Sequence, residues 1–385
     1  MSRRSSDDNA FSALPDKSHT GSSRMGRSIC MLKLSLFLAV LPGIILAITL
    51  RDTEDVFYRA QTAFDAIVQI AKLPEQDVQH FIQAFSMFDM NNFTGTPEQM
   101  KLVEAYYNIL PHLTAIGNFE KMYLPPMLDP SKDTYSNQKL FEIWMSHQLN
   151  VSNKTATSRS AAPHVLDIGC GRGRIAHLVA TETGAHVTGL NIAVDQIASA
   201  NMFARKTGMA QQLEFVHGNY NHRLPFDDEM FDALYYVQVI GGYGTNLTAL
   251  FTEAYRVLKP GSRIVLEDYI LLPAFDSSNK KHQELMRWSR SILGGVDFFP
   301  DTAYTDALRM AGFRTLSRGK HSTGEQVQLL RQDVDFFVPL GNVVSALAYI
   351  GIVPQHFKTM LDRLNQGAEA CVEAHKLGLL TGDIV

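Results

Sequence analysis

Three cysteines in 385 residues, Cys30, Cys170 and Cys371, are too few and too scattered for a disulfide framework, and no spacing among them suits a metal. Such usage fits a reducing compartment. The chain also lacks a basic field: 35 Lys and Arg face 39 Asp and Glu, for a net charge of -4, which argues against a nucleic-acid partner. There is no internal repeat. What remains is 45% hydrophobic, enough for a large core. The length exceeds one ordinary domain, so a core domain with substantial additions is expected.

The most informative stretch is His164-Val-Leu-Asp-Ile-Gly-Cys-Gly-Arg-Gly-Arg174. Val165, Leu166 and Ile168 suit a strand covered on both faces, while Gly169, Gly171 and Gly173 allow a sharp turn and the close approach of a ligand. A glycine-rich strand-to-helix turn alone is shared by many nucleotide sites and by purely structural turns. Further strands are expected at Ala185–Asn191, Leu213–Asn219 and Phe231–Val237, alternating with helices. That order predicts a parallel sheet covered on both faces, with a ligand crevice beyond the carboxyl ends of the strands.

On this motif the sequence resembles the class I S-adenosylmethionine-dependent methyltransferases. Within them, Gly189-Leu-Asn-Ile192, Gln196-Ile197, Leu224–Asp232, Glu253–Gly261 and Asn279-Lys-Lys-His282 resemble the sterol 24-C-methyltransferase group. The resemblance implies a Rossmann-like α/β fold with a mostly parallel seven-stranded sheet, and S-adenosyl-L-methionine as cofactor. Asp167 would order the glycine loop and meet the cofactor's amino-acid part, where a carboxylate suits an ammonium. Asn191, with Gln196, would take the ribose, and Asn219 the adenine. Asn219 departs from the acid usual there, although an amide oxygen can still accept. Cys170 reads as a small residue under the cofactor. Gly169, Gly171, Gly173 and Gln238 complete the expected cofactor site, and no metal is expected.

Alkene methylation creates a carbocation that aromatic rings or carboxylates must stabilise and a base must deprotonate. After the fourth strand the sterol group carries a Glu and a Cys-His pair. This chain reads Val237-Gln-Val-Ile-Gly-Gly-Tyr-Gly244, with Gln238 in place of the acid. The aromatic run that the group carries before the core domain has only Gly117-Asn-Phe-Glu-Lys-Met-Tyr123 as its nearest equivalent. Tyr243 is a candidate proton carrier or cation-stabilising ring, with a packing role as the other reading. Glu267 and Asp268, ending the fifth strand, are candidate charge stabilisers or a structural acid pair. His282 is a further candidate contact.

The expected organisation is a disordered basic segment over 1–33, a hydrophobic membrane anchor over 34–50 and a helical cap over 51–150. The cofactor-binding core follows over 151–272, then a C-terminal substrate lid completing the sheet over 273–385. The run Leu34–Leu50 is uncharged and long enough to span a bilayer. Basic residues precede it and Asp52, Glu54 and Asp55 follow, so a single crossing would carry the rest outward. Pro42-Gly43 permits a shallow hairpin instead, with the core facing the cytosol at the endoplasmic reticulum. Glycan at Asn92, Asn150, Asn153 or Asn246 would contradict the hairpin. A strand is expected over Phe313–Leu316, a helix over Met360–Leu379, and no motif in the last five residues. The expected function is methylation of a side-chain alkene of a sterol-like apolar lipid. Methylation of another small molecule or lipid head group, and a non-catalytic binding module, are the other readings. Oligomeric state is not legible.

Overall fold

Val165, Leu166 and Ile168 are completely buried, as a strand covered on both faces requires. They form β1 (His164–Ile168) at the centre of one sheet. The computed structural model describes residues 56–89, 93–115, 121–151, 162–243, 246–351 and 355–385. On one side of β1 lie β2 (His186–Asn191) and β3 (Leu213–His217). On the other lie β4 (Phe231–Val237) and β5 (Leu258–Leu271), all four parallel to it. The sheet then turns mixed: β8 (Leu380–Ile384) runs antiparallel to both β5 and β7 (Gly319–Lys320). The order β3-β2-β1-β4-β5-β8-β7 gives seven strands, and β6 (Phe299–Pro300) adds an eighth beside β5.

One expectation needs correction here. Phe313–Leu316 is not a strand; Phe313 instead packs edge-on against Tyr255, with ring centroids 5.2 Å apart. The last five residues, which carry no motif, supply most of β8, with Leu380 and Thr381 buried in the sheet that the C-terminal part was expected to complete.

Helices α5 (Arg174–Thr183), α6 (Val194–Lys206) and α8 (Leu247–Val257) each follow a strand of the sheet. An earlier helix, α4 (Thr134–Gln148), packs on α5 and β5, so the last part of the expected cap belongs to the core. The cap proper comprises α1 (Val56–Ala71), α2 (Glu75–Ala84), a short 3-10 turn and α3 (Pro97–Ala115). Phe81, Phe85 and Phe88 surround Tyr106 with centroid distances of 5.2 to 5.8 Å, which makes these rings a packed core of the cap.

After β4 come α7 (Ile240–Tyr243), α9 (Lys280–Leu293) and α10 (Ala303–Met310). Two long helices, α11 (Thr323–Tyr349) and α12 (Gln355–Lys376), then pair with each other, and α12 also packs on α9. Among the described residues no helix is long and apolar enough to cross a membrane. The expected anchor, 34–50, and most of the linker before β1 lie outside the described residues.

Candidate active site

The loop after β1 is built from backbone constraints. Gly169, Gly171 and Gly173 have φ of 78°, 52° and 75°, a region that side chains disfavour. The N–H groups of Gly169 and Cys170 both donate to Leu190 O, at 2.8 and 3.2 Å, tying the loop to β2. A Cβ on Gly169 would lie 2.4 Å from Val239, and one on Gly173 2.5 Å from Phe215. At Gly171 a Cβ would meet only Gln196 Oε1, at 3.7 Å, so that glycine opens onto free space. Burial pushes the Cys170 thiol well above its usual pKa, as an inert packing residue requires.

That space is a cavity of about 130 Å³ walled by the loop, Asn191 to Ala193, Gln196 and Val237 to Val239, with Tyr107 and Lys121 to Tyr123 on the cap side. Asn191 Nδ2 donates to Gln196 Oε1 at 2.8 Å, which leaves the Asn191 carbonyl oxygen as an acceptor. Gly169, Gly171, Asn191, Gln196 and Gln238 line this cavity as expected, whereas Gly173, Asp167 and Asn219 do not. Gly173 is a packing position under Phe215. Asn219 is spent on its own turn, its Oδ1 accepting from Asn221 N–H at 2.9 Å. Tyr220 lines the wall beside it, with its hydroxyl donating to Val239 O at 3.0 Å.

Asp167 follows from strand alternation. It shares a face of the sheet with Val165 and lies beneath the loop, 3% exposed, with no hydrogen-bond partner on Oδ2. Burial lifts its pKa to about 7, the Tyr235 hydroxyl opposes the rise and Glu142 adds to it. A buried carboxylate without a cation, beneath a cradle of glycine backbone, fits a ligand that brings an ammonium. The donor set beside it, Arg172 with the Asn191–Gln196 pair, suits a carboxylate and a diol. The residues present therefore fit S-adenosylmethionine.

A second cavity, about 150 Å³, adjoins the first and shares Met122, Tyr123 and Gln238 with it. Its walls are apolar: Leu110, Leu113 and Leu124, Ile292 and Leu293 of α9, then Leu330, Val334 and Phe337 of α11 and Leu361, Leu364 and Ala368 of α12. Gln238 divides the two spaces. Its Oε1 accepts from Leu124 N–H at 3.1 Å, and its Nε2 donates to Leu124 O at 2.8 Å and to Glu267 Oε1 at 3.0 Å. The residue has φ of 48°, a strained backbone for a non-glycine.

The expected catalytic residues sit outside both cavities. Tyr243 packs edge-on against Phe93 and Tyr107, at 5.4 and 6.1 Å, in the core of the cap. Asp268 anchors the turn after β4. Its Oδ2 accepts from the N–H groups of Ile240 and Gly241 at 2.8 and 2.9 Å, and its Oδ1 from Tyr269 N–H at 2.8 Å. Burial raises its pKa to about 6 despite these bonds. Glu267 is fully buried, and burial drives its pKa well above the carboxylate range. His321 lies 3.7 Å away, but burial holds that ring's pKa to about 3. Burial thus disfavours charge on both partners of this contact. His282 accepts from Asp276 N–H near the start of α9 and lines neither cavity.

Sequence reasoning missed Lys121 and Glu142. Glu142 is fully buried in α4, paired with Lys121 Nζ at 2.7 Å and accepting from the Tyr123 hydroxyl at 2.6 Å. The readable signal was a helical stripe, Gln138, Phe141, Glu142 and Met145, in which an acid and an amide stand among apolar residues.

Residues 166–266 match the family model described as a methyltransferase domain. A sterol 24-C-methyltransferase of Gibberella zeae is 28% identical over 56% of this chain and 62% of its own length. A second from the same organism is 31% identical over 49% of this chain and 46% of its own length. The matched part thus spans less than two thirds of these relatives. Among solved structures, a cyclopropane synthase from Mycobacterium tuberculosis superposes with a TM-score of 0.57 at 12% identity, covering 69% of this chain and 88% of the other. That likeness concerns the fold.

Proposed function

We propose that this chain, whose residues 166–266 form a methyltransferase domain of the class I S-adenosylmethionine-dependent type, methylates a side-chain alkene carbon of a sterol or sterol-like lipid. One observation carries the reading: an apolar cavity shares the wall Met122, Tyr123 and Gln238 with the cavity that fits the cofactor. The similarity to sterol 24-C-methyltransferases supports the same substrate class.

When bound, the cofactor supplies an electrophilic methyl group on a sulfonium. The chain's task is to align an acceptor with it and exclude water. Arg172, on the wall, suits the cofactor's carboxylate and Asn191 the ribose; Asp167, buried beneath the loop and outside the wall, favours the ammonium through its charge rather than by contact. Tyr123 lines both cavities, where an aromatic ring would stabilise positive charge on the acceptor. Glu142 holds the phenol from behind, and Lys121 at 2.7 Å balances its charge. Methylation at a heteroatom of another small molecule or head group is the second reading. It is favoured by the withdrawal of Glu267 and Asp268 from both cavities, since such an acceptor generates no carbocation.

Membrane association, at the endoplasmic reticulum with the core facing the cytosol, is part of the proposal. It rests on the uncharged run Leu34–Leu50 and on exposed Val343, Tyr349 and Ile350 near the turn between α11 and α12. Glycan on Asn150 or Asn246 in cells would contradict the cytosolic placement.

The test is transfer of labelled methyl from S-adenosylmethionine by solubilised full-length protein to sterols with side-chain alkenes, beside amines and phenols. Label in a sterol, lost in Gly171→Arg, is the expected outcome. Label in amines or phenols alone transfers the assignment to the second reading.

A further inference from the structure

The cofactor cavity poses a problem of charge. Among the described residues three cations line it, Lys121, Arg172 and Arg174, and no Asp or Glu does. A ligand carrying a sulfonium meets like charge on such a wall. The two arginines are braced within the fold. The Arg174 guanidinium lies 3.7 Å from the centre of the Phe203 ring and donates to Arg172 O at 3.2 Å, while Arg172 Nη2 donates to His112 Nε2 at 3.1 Å. Both make further contacts. Lys121 is met differently: its Nζ reaches Glu142 Oε1 at 2.7 Å, with the two side chains 11% and 0% exposed.

Glu142 itself lines neither cavity. Two other acids lie close behind the cofactor wall, Asp167 beneath the glycine loop and Glu267 bonded to Gln238. Neither is bonded to a lining cation, whereas Glu142 is. Helix α4 fixes this pairing. Gln138, one turn before Glu142, donates from Nε2 to Lys121 O at 3.0 Å and to Tyr123 O at 2.7 Å, and the Tyr123 hydroxyl donates to Glu142 Oε1 at 2.6 Å. The segment Lys121–Tyr123 is therefore tied to α4 through backbone and side chains alike. In so buried a pair, removing one partner strands the charge of the other.

We infer that Glu142 sets the preference of this site for the cationic cofactor over its neutral product, by cancelling the charge of Lys121 at the cavity wall. The inference rests on the reading of this cavity as the S-adenosylmethionine site. The cofactor carries a sulfonium and S-adenosylhomocysteine a neutral thioether, so the two differ by one positive charge and one methyl group. The ratio of their affinities therefore reports the potential in the cavity, because the shared adenine, ribose and amino-acid contacts cancel in it.

The test measures equilibrium binding of both ligands to the full-length protein by calorimetry at about pH 8, above the Asp167 pKa of about 7. Glu142→Gln keeps an acceptor for the Tyr123 hydroxyl and strands the Lys121 charge. It should shift the affinity ratio toward S-adenosylhomocysteine by about tenfold, the scale of one unit charge acting across protein. Lys121→Met strands the acid instead and should shift the ratio the other way. Combining Glu142→Gln with Lys121→Met should restore the ratio of the unaltered protein. A purely structural role for the pair would weaken both ligands together and leave the ratio fixed. Ratios that stay fixed in both single variants, or move in the same direction, overturn the inference; should Glu142→Gln not fold, the shift in Lys121→Met decides alone. Binding of neither ligand by the unaltered protein overturns the cofactor reading itself, and this inference with it.

Discussion

The side-chain amide of Gln238 pairs with both backbone groups of Leu124, accepting at 3.1 Å and donating at 2.8 Å, as a neighbouring strand would. This clamp joins the end of β4 to the segment that closes both cavities. The position where the sterol group carries an acid is thus occupied by a latch. A Gln238→Glu variant keeps the shape but, when ionised, cannot donate to Leu124 O or to Glu267. We expect it to lose about 1–3 kcal/mol of stability at neutral pH. Burial raises the folded-state pKa of the new carboxyl, so the neutral form's stability is fully present below about pH 4 and is lost as pH rises from there through the raised folded-state pKa. Thermal melts of both proteins from pH 4 to 8 check this. A constant difference across that range would contradict it.

Asp167 gives a pH dependence of the opposite kind for cofactor binding. Its pKa of about 7 means that a proton must leave before the carboxylate's charge can favour an ammonium in the adjoining cavity. Affinity for S-adenosylmethionine should therefore fall below pH 7, by up to about tenfold per pH unit. For folding alone the sign reverses: the raised pKa favours the folded chain below about pH 4, and that contribution is lost as pH rises through 7. Calorimetric titrations at several pH values should show the slope, and Asp167→Asn should flatten it.

How far the sequence disclosed these sites depends on which chemistry each residue uses. The glycine loop was legible because backbone conformation fixes it locally: Gly169 and Gly173 have no room for a side chain whatever the cap does. The five parallel strands were legible as apolar runs ending in polar residues. β8 was not, because Leu380-Thr-Gly-Asp-Ile384 becomes a strand only by pairing with β5, more than a hundred residues earlier. Glu267 and Asp268 were read as ending the fifth strand, but β5 runs on to Leu271 and pairs both with β8 inside the sheet. Alternation then turned them to opposite faces, and the Ile240 and Gly241 N–H groups captured Asp268. An apolar space between the cap and the C-terminal lid was expected, but its lining was not legible, since α3, α9, α11 and α12 form its wall only after tertiary assembly.

Tyr123 separates ring from hydroxyl. Tyr123→Phe keeps an aromatic ring at the shared wall and removes the bond to Glu142, while Tyr123→Leu removes both. If the ring stabilises developing positive charge, Leu should lower kcat by about tenfold or more relative to Phe, with KM for the cofactor little changed. Phe should mainly cost stability, about 1–3 kcal/mol, because the Glu142 carboxylate loses its phenol donor. Steady-state kinetics of both variants with the labelled-methyl assay decide between the roles. Equal kcat for Phe and Leu would leave Tyr123 as packing only.

Asp268 offers the reciprocal case, a candidate catalytic acid that the geometry makes a scaffold. It accepts three backbone N–H bonds, two of them from the turn that follows Gln238. Asp268→Ala would leave those buried donors unsatisfied, at about 1–3 kcal/mol each before relaxation. Asp268→Asn keeps one acceptor oxygen and should lose less. A scaffold role predicts that melting temperature and cofactor affinity fall in the order Asn then Ala, and that the Asn variant retains kcat at saturating cofactor. A base acting on the substrate would give the reverse pattern, with kcat lost in Asp268→Asn while the fold and the cofactor site persist. Hydrogen exchange at the Ile240 and Gly241 amides, faster in Ala than in Asn, would tie the loss to the turn itself.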